Sequence, residues 1–178
     1  KIGRMLFGAI IGICLSAAAY AQYGMPPIKT ITGTKEESKK MTETKAVIET
    51  KFGNITLKFF PDVAPGHVKN FLDLAKNGTY DNTVFHRVIP GFMIQGGDPR
   101  GDGWGGPGYQ IRCEYSDVPY KRGTVGIATS GKDTGGSQFF ITLSPQPHLN
   151  GRYTVFGEVL SGMEFADEIV RGDIIQKI

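Results

Sequence analysis

Phe85-His86-Arg87-Val88-Ile89-Pro90-Gly91-Phe92-Met93-Ile94-Gln95-Gly96-Gly97-Asp98 reads as strand, turn, strand. Two short apolar runs, 83–88 and 92–95, flank a proline–glycine pair that favours a turn. The same grammar extends in both directions. Upstream, Val47, Ile48, Ile55, Leu57 and Phe59 form two strand-like runs around Phe52-Gly53-Asn54, a hairpin signal. Downstream, apolar runs at 109–111, 125–128, 139–143 and 155–159 are separated by Gly, Pro or Asp, and residues 174–178 start a last strand. Two helical patterns interrupt the strands. Val68, Phe71, Leu72 and Ala75 recur at i, i+3, i+4 and i+7 before Gly78, and Met163, Ala166, Ile169 and Val170 share a face within 163–171. About eight short strands and two helices predict a mainly β fold: a closed eight-stranded antiparallel β-barrel with the helices across its openings.

The rest of the chain divides in two. Residues 1–21 carry Lys1 and Arg4, then an apolar stretch from Met5 to Leu15, then small residues ending Ala19-Tyr20-Ala21. This is the pattern of a secretory signal peptide cleaved before Gln22. The rival, an N-terminal membrane anchor, has only residues 5–21 to span a bilayer. Export to the periplasm or out of the cell is therefore expected, with no stable membrane span once the leader is removed. Residues 22–44 combine Pro26-Pro27 with a mixed charge run at 35–40 and lack a sustained apolar period. They predict a flexible polar tether to a domain over 45–178.

Charge and cysteine usage exclude several classes. Net charge is +3, but removing Lys1 and Arg4 from 20 basic residues leaves 18 against 17 acidic, a net of +1. That balance gives no footprint for nucleic acid. Of two cysteines, Cys14 lies in the leader, so Cys113 would be unpaired in the mature chain. Gly101-Asp102-Gly103-Trp104-Gly105-Gly106 matches a dinucleotide fingerprint, yet Pro107-Gly108 follows where a helix is required. Asp98 and Asp102-Gly103 begin like a calcium loop, but Arg100 and Tyr109 occupy ligand positions. His67, His86 and His148 lack zinc-ligand spacing, and no G-x-S-x-G elbow occurs.

The opening stretch, together with Gly136-Ser137-Gln138-Phe139-Phe140-Ile141 and His148-Leu149-Asn150-Gly151-Arg152-Tyr153, resembles the cyclophilin family of peptidyl-prolyl isomerases. The likeness runs through residues 46–178. The short loop over 98–108 and Gly172-Asp173 look like the short bacterial members. The resemblance implies a peptidyl-prolyl cis–trans isomerase acting on proline-containing segments of client proteins. It assigns catalysis to Arg87 and a proline pocket to Phe92, Met93, Phe140 and Leu149. It places Gln95 beside the substrate backbone and sets Gly103, Ala128, Thr129, Ser130 and Gln138 along the neighbouring groove, with Tyr153 at the rim.

The chemistry suits those residue types. The planar peptide bond sets a rotation barrier of roughly 18–20 kcal/mol. At the twisted transition state the prolyl nitrogen regains a lone pair, and a fixed donor near it stabilises that state over either planar isomer. Arginine stays charged and presents a rigid fork of donors. No nucleophile, metal or cofactor is required. Taken singly, Arg87 would be a surface solvator, the apolar residues core, and His86 a structural histidine; the ordered combination is what points to a site.

Two positions depart from the best-known family pattern. His148 stands where many members carry Trp, an indole associated with tight cyclosporin binding, so weak cyclosporin binding is expected. Tyr153 stands where many have His and keeps a ring wall with a polar tip. The expected protein is a monomer. Competing readings are a chaperone or adaptor that holds proline segments with incidental turnover, and an envelope protein whose barrel is only structural.

Overall fold

A computed structural model describes Gly24, residues 26–32 and residues 34–178. The leader at 1–21 lies outside the described residues.

Hairpin β2 (Lys45–Glu49) and β3 (Asn54–Phe59) begins the principal sheet. Alternation sends Ala46, Ile48, Ile55, Leu57 and Phe59 inward. Its turn needs a glycine: Gly53 has φ of 146°, and a Cβ there would lie 2.6 Å from the Phe165 ring. Helix α2 (Pro65–Lys76) follows, with Pro65 in its first turn. The Glu114 carboxylate accepts the Gly66 and His67 amides at 3.0 and 2.9 Å, satisfying two orphan donors of the helix start.

After α2 come β4 (Thr83–Val84), β5 (Arg87–Ile89), β6 (Met93–Gly96), β7 (Gln110–Ile111), β8 (Thr124–Ile127), β9 (Phe139–Thr142) and β10 (Val155–Ser161). Helix α3 (Met163–Glu168) and β11 (Ile174–Ile175) follow. The main sheet has seven antiparallel strands in the order β2-β3-β10-β8-β9-β6-β5. It is a curled half-barrel rather than the closed eight-stranded ring expected, because β2 and β5 remain edges of the ladder. The seam between them is spanned by smaller pairings. Lys177 bridges Glu49, β11 pairs with β4, and Val84 bridges Asp98 just beyond β6. The strands along this seam are two or three residues long, too short to continue the ladder.

The two faces of the sheet bury different clusters. Ile94, Val125, Ile127, Phe139, Ile141 and Phe156 meet Phe71 and Leu72 of α2 in the main core. There Phe71 lies edge-on to Phe139, with centroids 5.4 Å apart at 85°. Alternate residues of the same strands, Met93, Phe140 and Val155, face the other way and join Tyr120 and Leu149 in a smaller cluster. Period-two alternation thus makes one sheet serve as both core wall and site floor.

Two further expectations change. Residues 22–44 read as a flexible tether, but the described part of that segment is structured. Strand β1 (Ile28–Lys29) pairs in parallel with β7, and helix α1 (Lys35–Glu43) carries a complete Thr34/Glu37 capping box. Met41 of α1 is buried in the main core, which anchors an otherwise polar helix. With α1 the described residues hold three α-helices rather than two, and the second expected helix ends at Glu168 rather than 171. Ile169 is extended, and the Val170 amide donates to Asp173 Oδ2 at 2.9 Å, turning the chain toward β11. No helix among the described residues is long and apolar enough to cross a membrane.

Candidate active site

Arg87 lies on edge strand β5 with its side chain exposed. Across the ladder its register partner is Gln95 on β6, and Arg87 Nη1 donates to Gln95 Oε1 at 3.3 Å. Gln95 Nε2 then donates to Gln138 Oε1 at 2.9 Å. Gln138 Nε2 donates to the carbonyls of Gly103 and Gly105, each at 2.9 Å. The guanidinium is therefore held at one end of an amide relay that terminates on backbone. One N–H faces Gln95, and an arginine has five to offer.

Beside Arg87 is a cavity of about 1110 Å³. Phe140 and Leu149 line it, and Met93 lies beneath them, 2% exposed. Half-buried Phe92 and Tyr153 form its sides, with Tyr153 edge-on to Phe140 at 5.9 Å and 89°. Behind Phe140, Tyr120 stacks at 5.5 Å. Close packing there depends on Gly126, where a Cβ would sit 2.2 Å from Tyr120 Oη and 2.7 Å from Phe140 Cζ. Burial pushes the Tyr120 hydroxyl pKa well up, and its proton is donated to the Thr154 carbonyl at 3.3 Å. Leu149 is presented by the turn Pro147–Leu149. The facing Pro90-Gly91 turn is tied to this region, because Ser144 Oγ and Gln146 Nε2 both donate to the Gly91 carbonyl.

The structure brings the sequence-selected residues together. Arg87, Phe92, Gln95, Gly103, Ala128, Thr129, Ser130, Phe140, Leu149 and Tyr153 all line this cavity. Met93 supports it from below. Gln138 lines an adjoining cavity of about 560 Å³ that shares Gln95, Gly103, Ala128, Thr129 and Ser130 with the first.

Several contributors escaped the sequence reading. Trp104 lines both cavities and is 82% exposed. Lys132, Arg152 and Arg171 also line the larger cavity, giving it a cationic rim. They come from separate loops, and no spacing rule connects them. Asp98, weighed only as a calcium ligand, organises the loop that carries Gly103 and Trp104. Its buried carboxylate accepts the Arg100 amide at 2.8 Å and the Gly103 amide at 2.5 Å. Burial alone would raise its pKa, but the amides of Arg100, Gly105 and Gly103 outweigh it and hold the carboxyl below the usual range. A sharp Asp-Pro-Arg-Gly run was the available signal for such a turn.

His86 has its pKa lowered, chiefly by burial, so it stays neutral at neutral pH beside Arg87. Its Nδ1 is buried without a hydrogen-bond partner among the described residues.

An exposed cation on a fixed amide relay, above an apolar floor open to solvent, can bind an extended chain and donate to an amide nitrogen. Sequence comparisons agree with that chemistry. The family model described as cyclophilin type peptidyl-prolyl cis-trans isomerase/CLD matches residues 45–177. The chain is 54% identical to peptidyl-prolyl cis-trans isomerase B of Bacillus subtilis over 126 residues, 70% of this chain and 88% of that protein. It is 48% identical to the peptidyl-prolyl cis-trans isomerase of Helicobacter pylori over 158 residues, 86% of this chain and 96% of that one. Among solved structures, a cyclophilin type isomerase of Cryptosporidium parvum, crystallised in the presence of the dipeptide Ala-Pro, superposes with a TM-score of 0.71 at 36% identity. That match covers 75% of this chain and 96% of the other. The chain belongs to the cyclophilin family of peptidyl-prolyl cis–trans isomerases.

Proposed function

We propose that this isomerase acts on accessible X–Pro segments of other exported proteins and assists their folding, with Arg87 as the catalytic residue. The observation that carries the assignment is the relay from Arg87 through Gln95 and Gln138 to the carbonyls of Gly103 and Gly105. Such a chain fixes the guanidinium without neutralising it, since every partner is uncharged.

In this reading the proline ring sits on Phe140 and Leu149, with Phe92 and Tyr153 at its sides. Burial of the ring excludes water from the rotating bond. As the bond twists, conjugation is lost and the prolyl nitrogen becomes an acceptor for an N–H of Arg87. That hydrogen bond is stronger in the twisted state than in either planar isomer, so it lowers the barrier. Gln95 positions Arg87 and receives the substrate backbone. No proton is transferred and no bond to the enzyme forms.

Arg87→Ala tests this. Isomerisation of a proline peptide should fall by about 100-fold or more, the scale seen when one preorganised donor is removed, while peptide binding persists. Full activity in the variant would remove Arg87 from the mechanism. If a cellular role survives loss of turnover, the holding function is the relevant one. Export is supported by the residue pattern over 1–21; mass spectrometry of protein from cells should give an N-terminus at Gln22. Size-exclusion chromatography should give a monomer.

A further inference from the structure

Four cations line the larger cavity: Arg87, Lys132, Arg152 and Arg171. The one carboxylate among its lining residues is Asp102, and Arg100 already holds that group at 2.5 Å. The chain as a whole is not basic in this way. Past the leader it carries 18 basic and 17 acidic residues. Setting aside the cavity's four and one leaves 14 against 16, a slight acidic excess. Positive charge is therefore concentrated around one opening, where a cleft focuses its field.

The three cations other than Arg87 stand on clamped loops. The Gly172 amide donates to the Phe85 carbonyl at 3.0 Å, and the Phe85 amide to the Asp173 carbonyl at 2.8 Å. Those bonds fasten Arg171 beside the run that carries His86 and Arg87. Burial chiefly lowers the His86 pKa, and the charges of Arg171 and Arg87 push it the same way. Arg152 follows Gly151, whose φ is 67°, and its amide donates to the Leu149 carbonyl at 3.1 Å. The turn that presents the apolar floor thus presents a cation as well. The loop of Lys132 is closed by the Ser130 amide on Thr134 Oγ1 at 3.0 Å and by Thr134 Oγ1 on the Gly131 carbonyl at 2.8 Å. The neighbouring Asp133 carboxylate is engaged elsewhere, accepting the Cys113 amide at 2.9 Å.

Among the described residues none of these four cations is paired with a carboxylate. Away from the rim, Lys51, Lys58, Arg100 and Arg122 each have one at 2.5–2.7 Å. Exposed like charges around one opening repel one another, and a bound anion relieves that repulsion.

We propose that Lys132, Arg152 and Arg171 form an anion-attracting rim that selects client segments carrying Asp or Glu close to the proline. This inference rests on the isomerase reading and adds the chemistry of the preferred clients. The rim steers and holds a flanking carboxylate, while Arg87 remains the donor to the prolyl nitrogen. A lysine at the same place meets repulsion from the same groups. The pairs formed are open to water, so each contributes modestly and salt weakens them all.

The test uses the full chain and proline peptides that carry Asp, Ala or Lys at one position within three residues of the proline. At low ionic strength wild type should favour Asp over Lys by about tenfold in kcat/KM at one or more positions, the lower end of what steering into a charged cleft supplies. Raising salt to about 0.5 M should cut that ratio to about twofold or less. Lys132→Glu, Arg152→Glu and Arg171→Glu should each reduce the ratio at least about twofold, and the triple variant should reverse the order. Lys39→Glu changes the net charge as much as one of these but lies on α1, outside the cavity, and should keep the wild-type ratio. All four side chains are exposed, so the variants should fold, as near-ultraviolet circular dichroism would verify.

A wild type that treats Asp, Ala and Lys peptides alike at every position overturns the inference and leaves the isomerase reading intact. So does a triple variant that keeps the wild-type preference. An equal loss in Lys39→Glu and in the single rim variants assigns the effect to net charge and overturns it too. A wild type inactive on every peptide overturns both readings.

Discussion

Arg87 and Gln95 face each other across the β5–β6 ladder, and the guanidinium donates to the glutamine oxygen at 3.3 Å. An exposed arginine on an edge strand would otherwise sample many rotamers. Its neighbour on the next strand sets its direction at little electrostatic cost, because a neutral amide leaves the positive charge available.

Gln95→Leu should therefore lower kcat about tenfold, within the range attributed to positioning of a catalytic group, with a smaller change in KM. Thermal stability should change little. Steady-state kinetics and a melting curve check both. A pure rise in KM would assign Gln95 to substrate binding alone.

Gly126→Ala should destabilise the protein by about 1–3 kcal/mol through overpacking. The added Cβ meets the Tyr120 hydroxyl and the Phe140 ring, so the floor under the proline must shift. Urea unfolding should show the loss. Combining it with Tyr120→Phe should recover part of it, because the hydroxyl is the nearest atom.

Asp98 makes stability depend on pH in a known direction. Its folded pKa lies below the ordinary value of 3.8 expected in the unfolded chain. The unfolded state thus binds the proton first, and the stabilisation is complete above about pH 5 and lost as pH falls through the folded pKa. Asp98→Asn should lower the urea midpoint at pH 7, and the gap from wild type should narrow toward pH 3. The variant should also lose activity at neutral pH, since Gly103 and Trp104 depend on that carboxylate for their placement.

Cyclosporin should bind weakly to the wild type. His148 lies 5.6 Å from Phe92, ring to ring, at the edge of the cavity. His148→Trp should enlarge the apolar contact and tighten inhibition at least about tenfold, the effect of burying a few additional carbons. Inhibitor titrations in a peptide assay decide this.

The residues legible in the sequence were those concentrated in continuous stretches. Arg87, Phe92, Met93 and Gln95 occupy one strand–turn–strand unit, so their joint placement was already present in the order of the chain. Trp104, Lys132 and Arg171 reach the cavity from three separate loops, and only the folded arrangement unites them. Helix α1 was missed for a different reason. Eight of its nine residues are polar or charged, leaving Met41 as its single apolar anchor. The apolar periodicity used to find helices has nothing to register there, although the Thr34–Glu37 box was present as a start signal. The expected ring of eight strands failed because strand counting ignores length: β4 and β11 are apolar enough to be counted, but at two residues each they pair with one another and stay outside the seven-stranded ladder.

The seam of the half-barrel also bears on how the chain is made. The outer edge of β2, close to the start of the matched region, has its partner in Lys177, and β3 has one neighbour in β10. During synthesis those early strands must leave the ribosome and wait, with their outer edges unpaired, until nearly the whole domain has been translated. Such long-range pairing slows folding and prolongs the exposure of bare strand edges. A protein whose own partners arrive so late would itself be a client for any holdase that meets the nascent chain.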